Sequence, residues 1–309
     1  MNKQTRNILL YTAITYGMIW AVGLTFRLAG LEYASPVGMA AATLCMFFPL
    51  VATLISQTCC GEKLLRDVGV SWKVNRWWFV GWLIMPVAAL LTIPVSSWMP
   101  GASFSDHTPL MLQTLEEMNQ SMGPAGSFSI TPTLVVLFTL VSGLMAGATI
   151  NAFFAFGEEV GWRGYLLKQF RGRNFLLAAM TIGAVWGLWH APLILLGHNY
   201  PSHPVAGVFM MILLCIAITP IIQYIRIKSG SVIVAAIIHG TMNATAGLSM
   251  FFIENFNDLL CGATGLAGIL VFLFIDAVLM LFDRYVTRDR IFTSQLGPVE
   301  PEADLNGTA

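Results

Sequence analysis

The stretch from Thr131 to Arg163, TPTLVVLFTLVSGLMAGATINAFFAFGEEVGWR, decides how this chain folds. Its first part is an apolar run long enough to cross a bilayer as a helix, for which about 20 residues suffice. It then reaches Glu158 and Glu159, two adjacent carboxylates at the end of a span, where ionisable groups are costly and functional by default.

Similar apolar runs recur on both sides of it. Spans are expected at about 8–28, 36–58, 78–98, 131–157, 175–196, 205–225, 230–252 and 264–284. The fold class is therefore all-α, a polytopic membrane protein with about eight transmembrane helices. Composition agrees: 56% of the 309 residues are hydrophobic and 10% charged, and mean hydropathy is +0.73. Soluble domains carry roughly a quarter charged residues. The net charge of zero and the lack of any basic tract exclude nucleic acid as a partner. The lipid bilayer is the first partner implied.

Lys3 and Arg6 precede an apolar run from Ile8 to Thr25 that resembles a signal sequence, but no small-x-small cleavage site follows, so it reads as an uncleaved first helix. Loops among the last four spans are short, which makes those helices antiparallel neighbours. The longest loop, 99–130, carries Pro100, Pro109, Gly123, Pro124 and Gly126, with an amphipathic helix expected near 109–122. The chain divides into an N-terminal three-helix region (1–130), a five-helix core (131–290) and a polar tail (291–309), with no internal repeat. Cys45, Cys59, Cys60, Cys215 and Cys261 lack metal-ligand spacing and read as packing or lipid-facing thiols, reversible acylation of Cys59-Cys60 being the alternative.

Placing the N-terminus inside puts 15 of the 16 Lys and Arg residues on one side, Arg27 alone lying opposite. By the positive-inside rule both termini are then cytoplasmic, in a cell membrane of the inner, cytoplasmic type.

Within the spans the ionisable residues are few: Glu158, Glu159, Arg163, His190, His239 and Asp276, with Asn243 one turn beyond His239. If the fourth helix runs on to about Phe170, Glu158, His190 and His239 lie roughly 14–22 Å from the basic helix ends at about 1.5 Å per residue. They can meet at one level, in a cavity expected to open towards the cytoplasm. Glu159 and Arg163 are spaced i,i+4 and can pair, while Glu158 points about 100° away. A carboxylate near an imidazole can deprotonate water, and a His with an Asn can donate to a developing oxyanion. That set suits hydrolysis of an acyl bond. The same Glu and His residues could instead hold Zn²⁺ with an open water position, although no span contains HExxH. Asp276 reads as a structural hydrogen-bonding group or a peripheral site residue. His198 and His203, in an outer loop with Pro201 and Pro204, read as solvated, metal binding being the other reading. Trp77, Trp78 and Trp82 suit an interfacial aromatic belt.

At these residues the chain resembles a known family. Glu158-Glu159-Val160-Gly161-Trp162-Arg163 matches the EExxxR motif of the CAAX protease and bacteriocin-processing family of intramembrane proteases, a type II CAAX endopeptidase-like group. Trp186-Gly187-Leu188-Trp189-His190 matches its FxxxH motif, with Trp186 in the Phe position, where a bulky aromatic is expected to serve either way. His239-Gly240-Thr241-Met242-Asn243 matches HxxxN. The resemblance implies that Glu158 and His190 position and activate the attacking water, that Glu159 and Arg163 hold Glu158, and that His239 and Asn243 stabilise the oxyanion. It implies no certain cofactor, since both zinc and metal-free glutamate mechanisms are proposed for the family. The reading is an intramembrane endopeptidase acting near the cytoplasmic side on a membrane-associated peptide or protein. Its rivals are a non-catalytic immunity or scaffold protein of the same fold and a proton-coupled transporter.

Overall fold

The computed structural model describes residues 2–121 and 130–297. Expectations for Gly123, Pro124 and Gly126, and for the tail beyond residue 297, lie outside the described residues. Helices joined by turns and loops make up most of the described residues, and two-residue strands Ser103–Phe104 and Ile253–Glu254 pair antiparallel. In chain order the helices are α1 (Lys3–Ala29), α2 (Pro36–Cys59), α3 (Arg76–Ser97), α4 (Pro109–Ser121), α5 (Pro132–Ala148), α6 (Ile150–Gln169), α7 (Phe175–Trp189), α8 (Pro204–Ser229), α9 (Val232–Phe251) and α10 (Leu266–Thr287).

This is an all-α, multi-pass membrane protein. Among the described residues six helices are long and apolar enough to cross a bilayer, and α5 with α6, bent by 50°, makes a seventh span. The eighth expected span, 175–196, is shorter than one helix of that length. It consists of the 15-residue α7, a break at His190 and a single turn, Ala191–Ile194. Pro192 lacks the N–H that would carry the helix through unbroken. The amphipathic α4 forms where the loop pattern placed it.

Side-chain contacts sort the loops into two ends. At one end Gln4 donates to the Arg171 carbonyl, Lys168 pairs with Glu62, Asn75 donates to the Ser229 carbonyl and Lys228 pairs with Asp289. This end carries the Lys/Arg-rich loops. At the opposite end Tyr200 donates to the Thr264 carbonyl, His203 pairs with Asp258 at 2.5 Å and Gly262 N–H donates to Ser96 Oγ. His203 is thus tied to Asp258 rather than simply solvated. The aromatic belt also needs revision. Trp82 donates to the Leu144 carbonyl, and Trp77 is buried against Tyr224 and Phe282, because α3 packs in the bundle rather than lying along its rim.

Two glycines set the helix spacing around the future site. Gly161 faces α2 where Pro49 interrupts it; a Cβ there would stand 2.5 Å from Pro49 Cβ and 2.3 Å from Tyr11 Oη. Gly240 lets α9 touch the α5–α6 bend, since its Cβ would stand 2.6 Å from both Ala152 N and the Gly147 carbonyl oxygen. Small residues permit such backbone approach in membranes, where packing rather than the hydrophobic effect associates helices. Backbone atoms cannot rotate away, so Gly240→Ala is expected to destabilise the protein by about 1–3 kcal/mol. A thermal melt in detergent that matches the wild type would refute this.

Candidate active site

The carboxylates sit where α6 widens. Ile150–Glu159 is α-helical, and Val160–Leu166 turns in π-helical geometry before a last α turn, Leu167–Gln169. Such wide turns often accompany functional sites. Here the wide turn retains the i,i+4 contacts. Arg163 Nη1 donates to Glu159 Oε1 at 2.9 Å, and Trp162 Nε1 to Glu158 Oε2 at 3.3 Å. Both the Glu159 and Arg163 side chains are 0% exposed. Burying this pair is tolerable only because further groups share the charge. His239 Nδ1 donates to the same Glu159 oxygen at 2.9 Å, and Arg163 Nη2 donates to Thr219 Oγ1 at 2.9 Å.

Trp186 joins the three motif segments. Its indole N–H donates to Glu158 Oε2 at 2.8 Å, and its ring lies 4.2 Å from the Arg163 guanidinium carbon and 5.3 Å from the His239 ring. A stacked guanidinium gains cation–π attraction from a desolvated indole. The Trp186 carbonyl also accepts from His190 Nδ1 at 2.9 Å. A carbonyl cannot donate, so the Nδ1 of His190 carries the proton and its Nε2 is left as an acceptor.

Glu158, His190, His239 and Asn243 all line one cavity of about 390 Å³. The structure therefore brings four of the six site residues to a common space. Glu159 and Arg163 form a buried layer behind it, and Asp276 lies on α10 away from it with Oδ1 unpartnered among the described residues. Loop residues Tyr33, His198, Asn199, Ala263 and Thr264, from the end opposite the Lys/Arg-rich loops, also line it.

Sequence reasoning missed Thr219, Tyr33 and the part played by His198. Thr219 is 56 residues from Arg163 and carries no pattern of its own. His198 is not a solvated loop residue: its Nδ1 is 2.5 Å from Tyr33 Oη, and its ring stacks near His190 with centroids 6.3 Å apart. Burial pushes the His198 imidazole down to about 4, so it is neutral at physiological pH.

The donors do not fit a three-ligand zinc site. Among the described residues no three His, Cys, Asp or Glu side chains are placed to share an ion. Glu159 Oε1 already receives Arg163 and His239, and Glu158 Oε2 receives two indole N–H groups.

Fold and site define a polytopic helical membrane protein with a charged cluster buried at the floor of a cavity. Residues 132–245 match the family model described as type II CAAX prenyl endopeptidase Rce1-like. CAAX prenyl protease 2 of Methanococcus maripaludis is 35% identical over 77 residues, 25% of this chain and 25% of that protein. Across the matched region the chain is similar to CAAX proteases.

Trp186 is more than a bulky aromatic in the FxxxH position, because phenylalanine has no N–H for Glu158. Trp186→Phe is expected to keep the ring contacts yet lose that bond, a cost of about 1–3 kcal/mol to a buried acceptor. Any hydrolytic rate should fall about 10–100-fold while the protein stays folded, each 1.4 kcal/mol being tenfold. Unchanged turnover in a purified variant would count against this reading.

Proposed function

We propose that this protein is an intramembrane endopeptidase that hydrolyses a peptide bond of a membrane-associated peptide or protein by activated water. The observation that carries the reading is the convergence of Glu158, His190, His239 and Asn243 on one cavity. Glu158 takes the proton from water, with His190 Nε2 as a second acceptor that orients it. The water oxygen attacks the scissile carbonyl, and the resulting oxyanion accepts from Asn243 and His239. His239 donates its Nδ1–H in a hydrogen bond to Glu159 Oε1, so its Nε2 donates only when the ring carries both protons. The charges of Glu158, Glu159, Arg163 and doubly protonated His239 then balance. Glu158 returns its proton to the leaving amine, and the peptide bond breaks. Glu159, Arg163 and Thr219 position this machinery without touching substrate.

The test is cleavage of a proteome-derived peptide library by protein purified into lipid nanodiscs, with cut sites read by mass spectrometry. Asn243→Ala is expected to lower turnover about 10²–10³-fold, the usual cost of one oxyanion donor, with no change in melting temperature. If the wild type cuts no peptide, a non-catalytic immunity or scaffold role takes the place of the peptidase.

A further inference from the structure

The last turns of α10 and the segment after it enclose a second cavity of about 310 Å³, which shares no residue with the cavity of Glu158. Met280, Leu281, Arg284 and Tyr285 form one wall, two i,i+4 pairs on one side of the helix. All four are exposed. Because α10 is long and apolar enough to cross a bilayer, its exposed apolar side chains meet lipid tails, and an exposed Tyr at its end sits at headgroup level.

Arg290 and Thr293 stand on the other wall. Left-handed backbone at Arg288 and Arg290, with φ of 60° and 56°, turns the chain back towards the helix. The return is pinned in place. Phe292 N–H donates to Asp283 Oδ2 at 3.3 Å, and the Phe292 ring packs on Phe175 and Tyr224, each with centroids 5.0 Å apart. Phe175 N–H donates to the Ser294 carbonyl at 3.0 Å, and Leu296 N–H to the Arg173 carbonyl at 2.8 Å. The two walls are thereby fixed, with a guanidinium on each.

Neither Arg284 nor Arg290 lies within ion-pair distance of a carboxylate among the described residues. The nearby acids are engaged elsewhere. Asp289 pairs with Lys228, and Asp283, which also lines the cavity, accepts from Phe292 N–H and from Thr287 Oγ1. Two guanidiniums against one carboxylate leave the lining cationic, beside an apolar strip of Met280 and Leu281. Guanidinium groups hold phosphate through paired N–H donors, and an acyl chain gains by covering apolar surface. A zwitterionic headgroup would bring its own cation against the second arginine; an anionic one would not.

We propose that this cavity is a binding site for an anionic phospholipid, its phosphate held between Arg284 and Arg290 and its acyl chain starting along Met280 and Leu281. The site is independent of the peptidase reading and of which face of the membrane it lies on.

The test is titration of the purified full-length protein in detergent with phosphatidylglycerol or phosphatidylcholine of matched chains, bound lipid being counted by native mass spectrometry. The wild type is expected to prefer phosphatidylglycerol about fivefold, the worth of one charge at a lipid surface. By the same measure Arg284→Ala/Arg290→Ala should weaken phosphatidylglycerol binding about 25-fold. Lys63→Ala/Arg66→Ala, at the same basic end but outside the cavity, should leave it near wild type. Thr293→Asp, which sets a carboxylate into the cavity and keeps both arginines, replaces the arginine variant if that one fails to fold, and should also weaken binding. Equal binding of the two lipids overturns the proposal. So does an equal loss in the two double variants, the mark of diffuse surface charge. Two further measurements separate a lipid from a bare anion. Leu281→Asn should weaken phosphatidylglycerol binding, and excess inorganic phosphate should not displace the lipid. Displacement by phosphate, or wild-type affinity in Leu281→Asn, would make this a free-anion site and overturn the lipid assignment.

Discussion

Glu158→Gln is expected to reduce peptide cleavage by about 10²–10⁴-fold, the range spanned by loss of a positioned general base. The substitution is nearly isosteric, and the amide oxygen can still accept from Trp162 and Trp186, which now donate at 3.3 and 2.8 Å. What it removes is the group able to take a proton from water and return it to the leaving amine. The protein should therefore stay folded, with a modest loss of thermal stability because one carboxylate of a charge-balanced buried cluster has become neutral. The variant should also hold substrate that it cannot release as product. Measurement of kcat with purified protein, alongside a melting curve, separates the two effects. Wild-type turnover in Glu158→Gln would end the case for this carboxylate as the base.

Arg163→Ala is expected to be the most damaging single change to the fold, at about 3–5 kcal/mol, because it strands a buried charge. Glu159 would keep only its bond from His239, and Thr219 Oγ1 would lose its donor. The Trp186 ring would also lose the guanidinium stacked 4.2 Å from it. The signature of a stranded charge is partial rescue. Glu159→Gln combined with Arg163→Met should be more stable than Arg163→Ala alone, since no ion is then left unpaired. A double variant less stable than the single one would show that Arg163 acts through packing instead. Neither variant should retain cleavage, because both release the layer that backs Glu158.

The i,i+4 relation of Glu159 and Arg163, and the divergence of Glu158 from them, were legible because a helix fixes which neighbours face one another. The wide turn at Val160–Leu166 left this pairing intact. Trp186 was legible only in part. Its place before His190 marked a motif, but its indole N–H gains meaning from Glu158, 28 residues away. Thr219 and Tyr33 belong to other helices and loops, and no local periodicity links them to Arg163 or His198.

By itself the sequence determined that the chain crosses the membrane repeatedly as helices, that its Lys and Arg residues gather at one end, and which residues could do chemistry there. These are local properties: hydropathy summed over a run, charge counted per loop, and spacing along one helix. Only the tertiary structure decided that His239 shares Glu159 with Arg163, that among the described residues the donors do not converge as three ligands on one metal ion, and that Tyr33, His198 and Thr264 from separate loops line the same cavity as Glu158. Each depends on how separate helices pack and which loops meet at each end. In a bilayer that packing follows from small-residue contacts such as Gly240 against the α5–α6 bend, which hydropathy does not register.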